Sequence, residues 1–429
     1  MTAIAPASTA PLESAPVTAA KQWRSPIILG VVALISLFIF GFGSASGDTT
    51  SFSISRSTDF FTVDTFAVPS RIAAILASLL ALALAGYSAW CVAQSRKPGW
   101  WLPVVFGVAI MFALLTWAGA GRGATDIKIT ALLTGAIVLS VPLVFGALSG
   151  VVCERSGIIN IAIEGQLLAG AFLAAVVASA TGNAYIGLIA APLAGALVGL
   201  MLALFAVKYW VNQIVVGVVL NVLVIGVTNF LFGTLLRDNK DLNQNIGMSD
   251  LPIPLLSKIP VIGPVLFDHN LLVYLMYVAV AVLSTMLFKS RWGLRVRAVG
   301  EHPKAADTVG IKVNRTRVRN TILGGAIAGL GGAFFTVASG LAFGKEMTAG
   351  SGYIALAAMI LGRWRPKGAL AAAVLFGFAI ALKDQLGIIG SPIPSQFLAM
   401  LPYLATIFAV AGLVGHARPP AAEGIPYKK

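Results

Sequence analysis

From Leu271 to Phe288 the chain reads LLVYLMYVAVAVLSTMLF without one charged residue, and Ser70 to Ala93 is a second apolar run of similar kind. Runs of this length match the roughly 20 residues with which a helix crosses the hydrocarbon layer of a bilayer. A water-soluble core cannot hide so much apolar surface, because 58% of the 429 residues are hydrophobic and only 11% are charged, with a mean hydropathy of +0.90. Apolar residues are continuous where the strands of a barrel would alternate. The pattern predicts an all-α polytopic membrane protein.

Spans are expected at 26–43, 70–93, 101–119, 131–152, 161–180, 184–207, 214–236, 271–288, 320–343, 350–362, 368–383 and 398–415. The first three carry little internal polarity and form an accessory unit over 26–127. The rest make a core of about nine spans over 128–416, rich in glycine and holding Pro142, Asn160, Glu164, Asn221 and Asn229. Residues 1–25 read as a disordered cytosolic tail and 417–429 as a second cytosolic tail. A cleaved leader over 26–46 is the weaker reading, since it would be long for a signal peptide. Between the spans, the loop 237–270 contains Pro252, Pro254, Pro260 and Pro264 and is expected to be extended rather than helical.

The net charge of +14 invites a nucleic-acid reading, but its distribution decides otherwise. With the N-terminus in the cytosol, 21 of the 30 basic residues fall on the inner side, nine of them between Lys289 and Arg319. That asymmetry sets orientation by the positive-inside rule and leaves little basic charge for nucleic acid. Cys91 and Cys153 both lie at inner ends of spans, where thiols stay reduced, and the three histidines are scattered, so neither a disulfide nor a metal cluster is expected.

Polar residues inside such a chain carry the functional signal. In CERSGIINIAIEG, Cys153 to Gly165, Glu164 opens an apolar run, and an acid at membrane depth faces a partner or a cavity. Asn160 and Glu164 are one helical turn apart and are expected to share a face, presenting hydrogen-bonding groups to a polar solute; the alternative is a pair between Glu164 and Arg155. Gly217, Asn221 and Thr228 form a polar stripe on the next span but one, as expected of contacts between helices or with solute. Segment 350–362 is too short to cross fully. The GKEMTAGSG stretch before it, Gly344 to Gly352, is either non-helical backbone lining a wet route or an ordinary outer loop. Glycines 324, 325, 329, 331 and 332 lack the spacing and the lysine of a phosphate-binding loop and are read as close helix packing, as are Gly146 with Gly150 and Gly195 with Gly199. With no Walker-type sequence in the chain, the driving energy comes from a partner or an ion gradient.

Within the basic run, Pro303 suits a first helical turn and Gly310 a C-terminal stop, so a short helix is predicted over Pro303–Val309 with Ala305, Ala306 and Val309 as its apolar face. A charged run with this punctuation is expected to dock a partner, beyond setting topology.

Taken together, ERSGIINIAIEG (Glu154–Gly165), GEHPKAADTVGI (Gly300–Ile311) followed by GGAIAGLGGA (Gly324–Ala333), and EMTAGSGYIALAAMILGRWRPKGA (Glu346–Ala369) resemble the type II permease subunits of bacterial ATP-binding-cassette importers. The branch includes branched-chain amino acid, ribose and nucleoside permeases, and the wording looks most like the nucleoside permeases. The resemblance covers about residues 128–416 and implies a coupling region in the loop 289–319: Glu301, His302, Pro303, Lys304, Ala305, Ala306, Asp307, Thr308, Val309 and Gly310, received by an ATPase subunit. It implies a second, related permease chain, an extracytoplasmic substrate-binding lipoprotein, and location in the bacterial cell membrane with both termini cytosolic. ATP and Mg would be used by the ATPase, with no cofactor bound by this chain and no enzyme activity of its own. Asn160, Glu164, Asn221, Phe334, Phe335 and Tyr353 are the candidate contacts of a nucleoside along the route. Simple sugars or branched-chain amino acids are the nearest alternative cargo; an ion-driven secondary transporter is a more distant one.

Overall fold

The computed structural model describes residues 23–96, 98–99, 101–122, 126–408 and 418–428. The expected N-terminal tail up to residue 22, and the expected last span beyond residue 408, lie outside them. The helices are α1 (Arg24–Ser36), α2 (Ser70–Ala93), α3 (Trp101–Ala118), α4 (Ile129–Glu154), α5 (Ile163–Thr181), α6 (Ala184–Ala203), α7 (Gln213–Leu231), α8 (Ile262–Leu266), α9 (Leu271–Lys289), α10 (Arg291–Glu301), α11 (Pro303–Thr308), α12 (Val313–Gly332), α13 (Ser351–Leu361), α14 (Pro366–Ile389) and α15 (Ser395–Phe408). Among the described residues, nine helical stretches are long and apolar enough to cross a membrane: α1 continued to Gly41, α2, α3, α4, α5, α6 continued to Lys208, α7 continued to Leu236, α9 and α14. The protein is a multi-pass helical membrane protein.

The described residues fall into two compact units, within the bounds Met1–Thr50 with Ala67–Ala124 and Ser51–Phe66 with Thr125–Lys429. In the first unit α2 packs on α1 and α3 through small residues, with Ala33, Ala81 and Ala109 buried around Phe106. Two hydroxyl contacts fix the register: Ser36 to Ser78 at 2.8 Å and Thr50 to Ser70 at 2.7 Å. Elsewhere these helices present Ile27, Leu76 and Val108 outward, as lipid-facing surfaces do.

In the second unit α12 is the hub, packed against α6, α4 and α5, while α14 lies along α4. Lipid supplies no hydrophobic force between helices, so close backbone approach does the work. A Cβ on Gly195 of α6 would sit 2.2 Å from the carbonyl oxygen of Gly325 on α12, and one on Gly170 of α5 would sit 2.1 Å from that of Gly329. Gly146 and Gly150 of α4 likewise meet Ala355 and Met359 of α13. The glycine pairs are packing surfaces. Gly195→Leu is therefore expected to prevent the chain from accumulating as a monodisperse species in detergent, since backbone blocks the added atoms and overpacking costs about 1–3 kcal/mol or more. Gly226→Leu on α7, with open space around it, is expected to elute like the unaltered protein on size-exclusion chromatography.

Three expectations need correction. The span expected over 320–343 is not one crossing helix. α12 starts seven residues earlier, carrying Arg315, Arg317 and Arg319 in its first two turns, and ends at Gly332, where Leu167 of α5 crosses so closely that a Cβ would lie 2.0 Å from its carbonyl oxygen. After a single turn at Ala333–Phe335 the chain is non-helical to Gly350. The loop 237–270 is not simply extended: it contains α8, with Pro264 inside, and folds back so that Leu251 and Ile253 donate to the carbonyls of His269 and Phe267, each at 2.9 Å. The third concerns segment 51–66, expected to belong with the accessory spans. It is part of the second unit: Phe52 pairs with Ile127, Arg56 forms an ion pair with Asp268 at 3.0 Å, and Phe60 donates to the Lys258 carbonyl at 2.9 Å.

Candidate functional site

α13 has 11 residues and rises about 16 Å, roughly half the hydrocarbon thickness. A helix this short covers only part of a bilayer, and the N–H groups of Gly350 and Gly352 at its N-terminus need acceptors from outside the helix. Glu164, in the first turn of α5, supplies the acceptors. One carboxylate oxygen receives the Thr348 hydroxyl at 2.6 Å and the Gly350 N–H at 2.9 Å, and the other receives the Gly352 N–H at 2.6 Å. A negative charge at a helix N-terminus also meets the positive end of the macrodipole. Two glycines permit the approach: Gly350 stands at φ +80°, and a Cβ on Gly352 would lie 2.4 Å from the Glu164 nitrogen. Glu164, itself 5% exposed, thus latches the non-helical stretch and α13 to α5.

Asn221 of α7 completes this junction. Its side-chain oxygen accepts the Gly165 N–H at 2.8 Å, and its nitrogen donates to the Ile161 carbonyl at 2.9 Å and to the Tyr353 hydroxyl at 3.3 Å. Farther along α7, Asn229 donates to Glu346 at 3.2 Å and ties down the other end of the same stretch. Tyr353 is half exposed, so a ring and a hydroxyl face open space beside the latch.

Of the six route residues named from the sequence, the structure brings Glu164, Asn221 and Tyr353 together and leaves the other three elsewhere. Asn160 does not share a face with Glu164. It lies in the irregular turn before α5, fully buried, donating to Ser149 and Gln166 at 3.0 Å each and accepting from Gln166 at 3.2 Å. Phe334 and Phe335 meet edge to face at 5.4 Å and pack into two different core clusters. Nor does Glu164 pair with Arg155, which donates to the Trp364 carbonyl at 3.1 Å and reaches Glu301 at 4.0 Å. Burial lowers the Arg155 pKa and the Glu301 carboxylate opposes that shift. Thr348, Gly350, Gly352 and Gln166 were not singled out; the non-helical reading of Gly344 to Gly352 was the only pointer to the first three.

The basic loop holds the second constellation. α10 runs along the end of the core, His302 breaks the helix, and α11 starts with Pro303 at its first position. Gly310 at φ +84° turns the chain into α12. The expected apolar face of α11 splits in two. Ala306, 3% exposed, packs inward with Val299 and Val313, while Ala305 is exposed and Val309 stands 74% exposed on the outer side. Helical geometry over six residues separates them, because α11 ends at Thr308 and Val309 leaves the helix. Beside Val309 opens a cleft of about 580 Å³ lined by Arg291, Arg295, Lys312, Arg315 and Arg319.

A membrane core built on one broken crossing, with a short outward helix in a basic loop, is matched by a family model over residues 132–413, described as branched-chain amino acid transport system / permease component. The chain belongs to this permease family. The guanosine ABC transporter permease protein NupQ of Bacillus subtilis is 38% identical over 306 residues, which cover 68% of this chain and 95% of that protein. The nucleoside ABC transporter permease protein NupC of Lactococcus lactis is 38% identical over 307 residues, with the same coverage. A putative glucose ABC transporter permease, TsgC13 of Haloferax volcanii, is 30% identical over 298 residues, covering 64% of this chain and 89% of its own. No solved structure matches. Both the Glu164 latch and α11 lie inside the matched part of this permease, which begins within α4.

Proposed function

We propose that this chain is a permease subunit of an ATP-driven importer of nucleosides. The observation that carries the reading is its 38% identity to both a guanosine and a nucleoside ABC permease along 95% of their lengths. In this reading the basic end is cytosolic, both termini lie there, and α11 with Glu301–Gly310 is the lever received by an ATPase subunit. The exposed Val309 and the neighbouring basic cleft suit a partner with an apolar notch and an acidic rim. A second permease chain, such as the one the related guanosine permease protein NupP of Bacillus subtilis represents, would complete the route, with an extracytoplasmic binding lipoprotein delivering the solute.

Mechanically, closure of the ATPase moves α11 only if the ATPase binds the outward- and inward-open permease differently. In this mechanism the Glu164 latch is the element whose release accompanies the switch of access. Tyr353 offers an aromatic face and a hydroxyl to a base and a ribose, next to Asn221. The test is uptake of labelled guanosine by cells expressing the whole transporter, challenged with excess unlabelled nucleosides, ribose, glucose or leucine. Competition by other nucleosides alone is expected. Competition by glucose or leucine, with nucleosides inert, sinks the nucleoside assignment and favours the cargo of the glucose permease relative or of the family's description.

A further inference from the structure

The permease leaves one buried charge without a role. Arg317 in the second turn of α12 is 1% exposed and forms no ion pair among the described residues. Its guanidinium instead holds the C-terminal segment, donating to the Ile425 carbonyl at 2.7 Å and the Ala422 carbonyl at 3.4 Å. Burying a cation against neutral acceptors is costly unless the geometry is specific. Gly157 makes room for it, since a Cβ there would lie 2.7 Å from the guanidinium nitrogen.

Residues 418–428 are fastened at further points, and these fall on three separate parts of the basic end. Toward α10 and α11, Ala422 donates to the Gly300 carbonyl at 2.9 Å and Ala421 to the Glu301 carboxylate at 3.2 Å, while Tyr427 packs on the cluster of Val299, Ala306 and Val313. Toward the turn after α4, Gly424 donates to the Gly157 carbonyl at 3.3 Å and the Glu423 side chain lies beside Glu154, whose carboxylate accepts the Trp364 indole at 2.6 Å. Toward the turn before α7, the Lys428 ammonium stands 4.8 Å from the Trp210 ring centroid. α11 itself is only six residues long, packs on α10 and α12, and fully buries only the Ala306 side chain. Glu301, just before it, reaches Arg155 at 4.0 Å, and this segment adds a second connection to the turn at Glu154–Gly157, from which the Glu164-bearing helix departs.

We infer that residues 418–428 are a clasp that joins the α11 lever to the α4–α5 turn, with Arg317 as its pin and Tyr427 as its contact on the lever. The inference rests on the proposed coupling role of α11. A displacement of α11 drags Tyr427 and Ala421, and the clasp passes it through Ala422–Gly424 to Gly157 and Glu154. Without the clasp the ATPase still docks on the outer side of α11, which the segment does not cover at Val309, but its closure is absorbed by a loose lever.

The experiment uses the complete transporter in liposomes, with ATP hydrolysis, ATPase retention and guanosine uptake measured on each sample. Deleting residues 418–429 is expected to leave ATPase retention and hydrolysis within about twofold of the unaltered transporter while uptake per ATP hydrolysed falls about tenfold or more, the loss expected when several hydrogen bonds vanish together. Tyr427→Ala, a change to a single part-buried side chain outside the helical core, is expected to lower the same ratio about threefold, and guards against misfolding of the deletion. Uptake per ATP within about twofold of normal in both variants overturns the clasp, and so does loss of ATPase retention in the deletion, which would make the segment part of the docking surface. If the unaltered permease retains no ATPase at all, the coupling reading itself fails, and the clasp's role with it.

Discussion

Glu164→Gln is expected to bring uptake down about a hundredfold while the permease still reaches the membrane in normal amount. The carboxylate accepts from Thr348, Gly350 and Gly352 with both oxygens, and glutamine offers one oxygen and a donor. Its amide would turn an N–H toward at least one buried donor. Hydrogen bonds to a charged group are worth about 1.5–3 kcal/mol each, and about 2.7 kcal/mol corresponds to a hundredfold change in rate or equilibrium. The loss falls on the α13 N-terminus, where the Gly352 N–H is buried against the carboxylate. Glu164→Asp keeps the charge but shortens the reach, and intermediate uptake is expected. The shape of the kinetics separates a latch from a solute contact: the maximal rate falls when the latch is lost, whereas KM rises when a contact is lost. Normal maximal uptake in Glu164→Gln would remove the latch from the mechanism.

The second large effect is predicted for Val309→Asp, which should abolish retention of the ATPase subunit during purification, by about tenfold or more, with the permease itself unaffected. Val309 is 74% exposed, so the substitution disturbs nothing inside the chain. On the proposed docking surface it sets an acid against a partner argued to carry an apolar notch with an acidic rim. Ala306 is the instructive contrast. The sequence made it a natural docking residue, but it packs under α11 against Val299 and Val313, so Ala306→Glu is expected to destabilise the loop and leaves the cause of any ATPase loss ambiguous. Equal ATPase retention by Val309→Asp and the unaltered chain would exclude this surface as the docking site.

Legibility followed the range of the interactions. α11 was readable because Pro303 and Gly310 act through their own φ angles, and the structure places Pro303 at the first helical position and Gly310 at φ +84°. Glycine pairs on α4, α6 and α12 were readable because spacing along one helix already fixes which residues share a face. The inward face of α11 is not legible from composition, since which side of a six-residue helix is inward depends on α10 and α12. The end of α12 inside 320–343 is not legible for a related reason: hydropathy counts apolar residues and does not register that Gly332 is pressed against the Leu167 backbone.

The sequence by itself determined that this chain lives in a bilayer as helices, that its basic residues cluster in one loop, and that a short helix stands in that loop. These follow from the length of apolar runs against bilayer thickness and from the local stereochemistry of proline and glycine. Tertiary structure alone decided what the buried polar groups do. Glu164 meets Thr348, Gly350 and Gly352 from 184 to 188 positions away, and Arg317 meets Ala422 and Ile425 across more than 100. A hydrogen bond is won or lost within a few tenths of an ångström, and only the packing of whole helices sets distances that fine between segments so far apart in the chain.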